Sequence, residues 1–519
     1  MNSTKDLLTR QAEARNSDSK NESLPIALPV PAELKQKSVR GGALTMLGQG
    51  VGMALQIGTT VILARLLLPA DYGLQSMVFT LTAFFSLFKD AGLSVASVQR
   101  ETLTHEQIST LFWINVGLGA LLTLIVAAAA PLLAAFYQEP RLLWLTIASA
   151  TIFLLNSLSV QHRALLDRSM RFATNVKIDI LCGVISAAVA VGMAALGFGY
   201  WSLICQNISL PLIGTIAVWF AMPWTPGKPQ WTPELKSMVR FGGTVTLNSV
   251  VVYIAYNAEK VLLGRYWGAA SLGIYGRGYQ LATLPVQQLI GAVHTIAFSV
   301  LSRMQGEVER LQRAYLKSLS LIVSLTIPVV ISSWLFAREI VGVVLGPKWM
   351  EAALVLRLLA PTVMVFALVN PFSWYLRATG RVRRSLNIAF LICPVVILGI
   401  LAGLGHGPRG VALGYSSAMV LLFVPIVAWA THGTGITARA YWDAVKRPLI
   451  AGFLGGFAGW LFQRVCADKL TPLPQLLLEL FISCLVYAGI LLFVLDQKHF
   501  YFDVAKQLLP REQNAKQNG

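Results

Sequence analysis

Long apolar stretches alternate with short polar segments along most of this chain. A helix needs about 20 apolar residues to cross the hydrocarbon core of a bilayer, because that core is about 30 Å thick. Stretches of that length predict fourteen membrane-spanning helices, at about 41–64, 73–98, 109–130, 142–162, 178–197, 201–220, 241–263, 279–302, 318–336, 352–374, 386–403, 411–430, 449–466 and 475–495. We therefore predict an all-α polytopic membrane protein.

Composition and charge support this fold class. Hydrophobic residues make up 55% of the 519 residues and charged residues only 13%, whereas soluble domains carry roughly 25% charged residues. The net charge of +18 would suit nucleic acid if it gathered on one soluble face. The cations fall instead in short loops between apolar stretches, so we expect no nucleic-acid partner.

One segment of the chain occurs twice. Residues 39–73 align without a gap on residues 239–273, and ten of the 35 positions are identical: 39, 40, 42, 47, 51, 61, 63, 65, 70 and 73. Six predicted spans separate the two copies, so both copies cross the membrane in the same direction. This indicates two parallel six-helix lobes related by an axis along the membrane normal, followed by two additional C-terminal helices.

The repeat and the loops together predict the domain organisation. We expect an N-lobe at 39–236, a C-lobe at 237–447 and the last two spans at 448–496, between polar tails at 1–38 and 497–519. Residues 1–38 lack the apolar core of a signal peptide, and we interpret them as a disordered tail. Lys and Arg are more than twice as frequent in the loops on the side of the N-terminus, which predicts that both termini are cytoplasmic.

Charged residues inside apolar spans are informative because burying a charge in lipid costs at least about 2.5–3.5 kcal/mol. Such residues either pair between helices, extend to the membrane surface or line a hydrated cavity. Asp179 and His294 also lie in or near spans, and we interpret them as structural residues. The candidates for a substrate-binding cavity are Lys89, Asp90, Glu259, Lys260 and Arg357.

Arginines cluster at comparable places in the inner loops of the two predicted lobes. Sorting of positive charge to the cytoplasmic side is sufficient to explain them. A sharper hypothesis is that they gather anionic headgroups at the cytoplasmic mouth, since a guanidinium fork matches phosphate oxygens. The residues concerned are Arg163, Arg168, Arg377 and Arg381.

The sequence contains none of the short motifs that would predict ATP hydrolysis, zinc proteolysis or serine hydrolysis, namely GxxxxGK[ST], HExxH and GxSxG. The five cysteines lie in apolar stretches without a CxxC pair. We therefore expect no cofactor, no metal site and no enzymatic activity, and transport is the remaining function.

Three runs carry a family resemblance: ARLLLPADYG at 64–73, FKDAGL at 88–93 and NAEKVLLGR at 257–265. They resemble the polysaccharide-exporter flippases of the multidrug/oligosaccharidyl-lipid/polysaccharide superfamily, in the lipopolysaccharide and exopolysaccharide export branch. The resemblance implies fourteen helices in two lobes around a central cavity. It also implies translocation of a polyprenyl-diphosphate-linked oligosaccharide from the cytoplasmic to the periplasmic leaflet of the bacterial inner membrane.

Two other functions remain open at this point. A cation-coupled exporter of small molecules in the same superfamily would need a deep carboxylate, for which Asp90 is the candidate. A membrane-bound glycosyltransferase is disfavoured because no outer loop is long enough for an active site. For the flippase, the expected partners are the lipid-linked oligosaccharide and membrane lipid, together with the polymerase and export machinery that handle the same glycan.

Overall fold

The computed structural model describes residues 31–88, 104–229, 253, 257–303, 308–379, 381–466 and 471–502. These residues form helices and short connections, and the described part contains no strand. The predicted all-α fold class is thereby confirmed. Of the predicted tails at 1–38 and 497–519, residues 1–30 and 503–519 lie outside the described residues, and residues 31–38 belong to the first helix.

The chain divides into two compact units, Met1–Gly273 and Ile274–Gly519. In the first unit the helices are α1 (Pro31–Leu66), α2 (Pro69–Ser86), α3 (His105–Tyr137), α4 (Leu142–Arg168), α5 (Phe172–Ala195) and α6 (Trp201–Ala221). Helix α7 (Ala258–Arg303) begins in this unit. The second unit continues with α8 (Val308–Leu335), α9 (Ala337–Val344), α10 (Met350–Ala378), α11 (Val382–Leu404), α12 (Gly407–Thr431), α13 (Ala438–Cys466) and α14 (Pro472–Gly489), which ends in a π-helical turn at Ile490–Val494.

Nine helices within the described ranges are long and apolar enough to cross a membrane. They include all or most of α1, α3, α4, α5, α6, α8, α10, α12 and α14. Helices α7 and α13 carry several charged residues, and two predicted spans, 73–98 and 241–263, lie partly outside the described residues. The count of fourteen spans therefore stays a prediction.

Local sequence signals place the helix ends in the first unit. Helix α3 begins with a capping box, in which the Thr104 hydroxyl accepts from the Gln107 amide and the Gln107 side chain accepts from the Thr104 amide, both at 3.3 Å. The helix stops at Tyr137 because Gln138 adopts a left-handed conformation with φ of 56°. Within the unit, α3 packs on α4, α5 packs on α6 and α1, and α4 packs on α6 and α2.

Several helices of the second unit pack through glycines, and we call such a contact between two helices a glycine seam. Helices α11 and α12 form a hairpin in which Gly403 and Gly410 face each other: a methyl group added at either would lie 2.0 Å from the other's carbonyl oxygen. Gly399 and Gly414 meet in the same way one turn further along. Small residues at such positions let helix backbones approach closely, which is how membrane helices gain packing contacts.

Helix α13 packs against two neighbouring helices through glycines on two of its faces. Gly452 and Gly456 contact α8, while Gly455 and Gly459 contact α14. Each pair is a GxxxG step, two glycines four residues apart, and both steps pack helices here. Gly48 and Gly52 form a third such step, in α1. In the first unit only one member of the Gly48/Gly52 step does so, since Gly48 contacts Val176 of α5 and Gly52 has open space beside it.

The two copies of the repeat cross each other inside the first unit. A methyl group at Gly73 would lie 1.7 Å from the carbonyl oxygen of Ala269, and one at Gly273 would lie 1.9 Å from the carbonyl oxygen of Pro69. Positions 69 and 73 correspond to 269 and 273 in the repeat. The contact is thus reciprocal, as a local two-fold relation between the copies requires.

The chain also breaks at the same repeat position in each copy. Leu68 is extended between α1 and α2, with φ of −95° and ψ of 156°. Its counterpart Gly268 interrupts α7 with φ of 75° and ψ of −177°, a conformation that essentially only glycine adopts. The predicted loop at 264–278 is therefore helical apart from this break, since one glycine is sufficient to turn the chain.

Candidate functional site

A cavity of about 610 Å³ lies in the first unit, between α2, α4, α5 and α6, and its lining is apolar in larger part. One face of α2 lines it, with side chains spaced three or four residues apart as a single helical face requires: Gln75, Val78, Phe79, Thr82, Ala83 and Ser86. Another side of α2 contacts Tyr253, whose hydroxyl donates a 2.7 Å hydrogen bond to the Thr80 carbonyl.

The cavity offers amide and hydroxyl groups within otherwise apolar helices. Helix α4 contributes Ser149, Asn156 and Ser159, and α6 contributes Asn207. The Asn156 amide nitrogen donates to the Ile152 carbonyl at 2.8 Å, which leaves its carbonyl oxygen for a ligand. Within the described residues the Asn207 amide has no hydrogen-bond partner, so both its donors and its acceptor are available.

An ion pair lines the same cavity. Arg163 of α4 donates from Nη1 to Oδ1 of Asp179 on α5, at 2.9 Å. Both side chains are at least one-third exposed, so the pair is screened and contributes modestly to stability. Sequence reasoning assigned Arg163 to a cytoplasmic mouth. The structure places it in the lining of the first-unit cavity beside Asp179, and its headgroup role stays a prediction.

Glu259 and Lys260 lie in the first turn of α7. Glu259 is fully buried, and in the described part of the chain neither carboxylate oxygen has a hydrogen-bond partner. Lys260 is half-buried and donates from Nζ to Oδ1 of Asn257 at 2.7 Å. A buried carboxyl group without donors costs free energy, and the role predicted for Glu259 in a substrate cavity stays a prediction.

Arg357 belongs to the second unit. It donates from Nε to the Trp334 carbonyl at 3.0 Å and from Nη2 to the Leu335 carbonyl at 3.3 Å, at the end of α8. Its side chain lines a second, larger cavity of about 1120 Å³. Lys89 and Asp90, the other predicted cavity residues, lie outside the described residues.

The remaining predicted arginines lie near helix ends. Arg168 is the last residue of α4 and is half-buried. Arg381 donates from Nη1 to the Gly433 carbonyl at 2.6 Å, and Arg384 donates to the His432 carbonyl, both just beyond the end of α12. Such contacts satisfy carbonyl groups that a helix end leaves free. The Arg377 side chain lies outside the described residues.

Sequence reasoning missed several polar residues that the fold places in the membrane-spanning helices. Glu479 of α14 is fully buried, and Gln475 donates to its Oε1 at 2.9 Å. The available signal was a single carboxylate within the apolar run 476–486. Asn156 and Asn207 carry no charge, so a search restricted to charged residues in spans does not detect them.

The described residues contain no group of three or more His, Cys, Asp or Glu side chains that could hold a metal ion. What the first-unit cavity presents is a set of hydrogen-bonding groups with two aromatic rings, Phe79 and Phe153. A helical bundle that encloses such a cavity is typical of membrane transporters.

Comparison with known proteins identifies the family. Residues 62–354 match the family described as polysaccharide biosynthesis protein, and the chain belongs to that family. It is 28% identical over 376 residues to the teichuronic acid biosynthesis protein TuaB of Bacillus subtilis (strain 168), covering 71% of this chain and 77% of that protein. It is 25% identical over 400 residues to the lipopolysaccharide biosynthesis protein WzxC of Escherichia coli (strain K12), covering 75% and 80%.

A solved structure shares the fold. The lipid II flippase MurJ, in an inward closed conformation, matches with a TM-score of 0.69 and 15% identity, over 90% of this chain and all of that one. The predicted resemblance to polysaccharide exporters is confirmed by the family match. Apolar helices of spanning length in a chain with this fold make it a multi-pass membrane protein.

Proposed function

We propose that this protein flips a polyprenyl-diphosphate-linked oligosaccharide repeat unit from the cytoplasmic to the periplasmic leaflet of the bacterial inner membrane. The product serves the assembly of exopolysaccharide or lipopolysaccharide. The observation that carries the proposal is the amide- and hydroxyl-lined cavity of the first unit, present in a chain of the polysaccharide biosynthesis family.

The cavity chemistry suits a sugar. Sugar hydroxyls donate and accept hydrogen bonds, and Asn156, Asn207 and Gln75 supply amides that do both. Without such partners, each sugar hydroxyl moved into an apolar interior would cost about 1–3 kcal/mol. The exposed ring of Phe79 adds an apolar surface for the carbon face of a sugar ring.

The diphosphate needs a different kind of compensation. Its charges are costly in a low-dielectric region unless cations accompany them. Lys89, Lys260 and Arg357 are the proposed cations, with Asp90 and Glu259 as the carboxylates that balance them in the empty protein. Arg163, Arg168, Arg377 and Arg381 are proposed to collect the headgroup on the cytoplasmic side.

The proposed mechanism requires a particular organisation of the chain in the membrane. Two parallel lobes, 39–236 and 237–447, alternate access to the substrate, and both termini are cytoplasmic. The protein makes and breaks no covalent bond. The polymerase and export machinery that act on the flipped repeat unit are its proposed partners.

Deletion of the gene tests the function. We expect the lipid-linked repeat unit to accumulate on the inner leaflet, measured by mass spectrometry of lipid extracts and by protection of the glycan from added enzymes. Normal export of polysaccharide together with lost efflux of a small molecule would contradict the proposal and favour the cation-coupled exporter.

A matched pair of variants tests the cavity. Asn156→Leu removes a cavity amide of α4. Thr151→Val changes an exposed residue of the same helix whose hydroxyl donates to the Ala148 carbonyl of that helix. We expect N156L to lower complementation of the deletion about tenfold, because a sugar hydroxyl loses its partner, and T151V to restore export fully. Equal export by both variants would exclude the cavity as the sugar site.

A further inference from the structure

The second cavity, at one end of the second unit, has a different chemistry. Its walls come from the end of α8, from α9 and α10, from the start of α12, from the end of α13 and from the start of α14. Four arginines line it, and we call it the arginine cavity: Arg338, Arg357, Arg409 and Arg464. Each comes from a different helix, so the fold brings the four guanidinium groups together.

Much of the hydrogen-bonding capacity of these arginines is available. In the described part of the chain, neither Arg338 nor Arg409 has a hydrogen bond or an ion pair. Arg357 uses Nε and Nη2 on the carbonyls of Trp334 and Leu335 and keeps Nη1. Arg464 lies over the Trp460 ring, 5.2 Å from its centroid, a contact that fixes the plane of a guanidinium without using its donors.

The carboxylates that line the cavity do not neutralise it. They are Glu339 and Glu351, two against four arginines. Within the described residues neither makes an ion pair with a cavity arginine, and Oε2 of Glu339 is buried without a hydrogen-bond partner. Gln475, which also lines the cavity, donates to Oε1 of Glu479, which does not line it. The cavity surface therefore keeps an excess of positive charge.

Simple sorting of positive charge does not explain this arrangement. Cations that only mark a membrane surface extend separately into water from their own helix ends. Here four guanidinium groups face one concave space of about 1120 Å³, together with the amides of Gln463 and Gln475. Planar guanidinium groups match phosphate oxygens in pairs, which gives such a cluster selectivity for phosphate over chloride.

We propose that the arginine cavity binds a phosphate-bearing anion, either the phosphate of a lipid headgroup or free phosphate. Met350, Leu354 and Trp334 line the same cavity and are exposed, so a lipid could enter from the apolar side. The arginine cavity lies in the second unit and the amide-lined cavity in the first. Arg357 is shared with the proposed function, whereas Arg338, Arg409 and Arg464 have no part in it.

The test uses the purified full-length protein in dodecyl maltoside. Binding of phosphatidylglycerol is measured by native mass spectrometry from micelles that also contain phosphatidylcholine. Binding of inorganic phosphate is measured as a shift in apparent melting temperature against chloride at equal ionic strength. We expect the wild-type protein to retain phosphatidylglycerol, and Arg338→Gln with Arg409→Gln to lower its apparent affinity about tenfold or more, because charge-assisted hydrogen bonds to phosphate are lost.

Two further variants separate the site from total charge and from folding. Arg439→Gln removes an exposed cation at the opposite end of α13, and we expect it to bind like the wild type. Arg338→Lys with Arg409→Lys keeps both charges, and we expect it to fold normally and to retain part of the affinity.

The outcomes decide both the site and the source of the phosphate. Loss of phosphatidylglycerol binding in the double glutamine variant, without any stabilisation by inorganic phosphate, identifies a lipid headgroup site. Stabilisation of the wild type by inorganic phosphate, lost in the same variant, identifies a free-phosphate site. If R439Q weakens binding as much as the double variant does, or if neither probe binds the wild type, the proposal is overturned.

Discussion

The reciprocal crossing at Gly73 and Gly273 allows a sharp prediction about stability. Gly73→Ala places a methyl group where the Ala269 carbonyl oxygen is 1.7 Å away. Protein Cβ atoms essentially never come within 3.0 Å of another atom in this way, so the two segments must separate by about 1.3 Å, the difference between these distances. No rotamer change relieves the clash, because both partners are backbone.

The size of the effect follows from opposing terms. Overpacking of a tight contact costs about 1–3 kcal/mol, and a clash with backbone belongs at the upper end. Replacing a helical glycine by alanine returns about 0.5–1 kcal/mol. We therefore expect Gly73→Ala to destabilise the protein by about 2 kcal/mol. Gly273→Ala, against the Pro69 carbonyl at 1.9 Å, should cost a similar amount.

Gly58→Ala provides the matched control. Gly58 lies in α1 with no atom within 4 Å of an added methyl group, so the gain in helix propensity is expected without a clash. The assay is the apparent melting temperature in detergent, and a loss of 2 kcal/mol lowers it by roughly 4 °C or more in a unit of this size.

The double variant G73A/G273A should lose less stability than the sum of the single variants, because the first substitution already separates the two segments and so relieves the second contact. Wild-type melting of both single variants, or strict additivity, would refute the crossing.

Two further predictions concern α7. Gly268→Ala should destabilise the protein by about 1–3 kcal/mol, because an alanine is strained at a φ of 75°. The added methyl group itself has no atom within 4 Å, so a clash does not contribute. An unchanged melting temperature would show that the chain turns differently there. Glu259→Leu should raise the melting temperature, because a buried carboxyl group with no donor in the described structure is replaced by an apolar side chain, and should lower polysaccharide export in complemented cells. A destabilised variant with normal export would contradict both parts of that prediction.

The internal repeat was the part of the fold that the sequence predicted best. Leu68 and Gly268 break the helices at matching positions, and Gly73 and Gly273 make matching contacts. A turn or a close contact constrains a few backbone positions strongly, so those positions stay recognisable in both copies. Helix ends were predicted less well. Helix α4 runs on to Arg168, beyond the predicted end at 162.

The site was only partly predictable for a related reason. Apolar stretches show which helices meet lipid but not which faces meet one another. The arginine cavity shows this most clearly, since its four arginines are spread over more than 120 residues, from Arg338 to Arg464. Arg357 is a charge within a predicted span, whereas nothing in the sequence pattern singles out Arg338, Arg409 and Arg464, which the fold places at one cavity.

The glycine seam between α11 and α12 has a consequence for how the protein is made. Its contacts join residues close in sequence, such as Gly403 and Gly410, so closing the loop between them costs little entropy. During synthesis both helices are complete before α13 is translated. The hairpin can therefore assemble early in the translocon and provide a finished surface onto which the later helices dock.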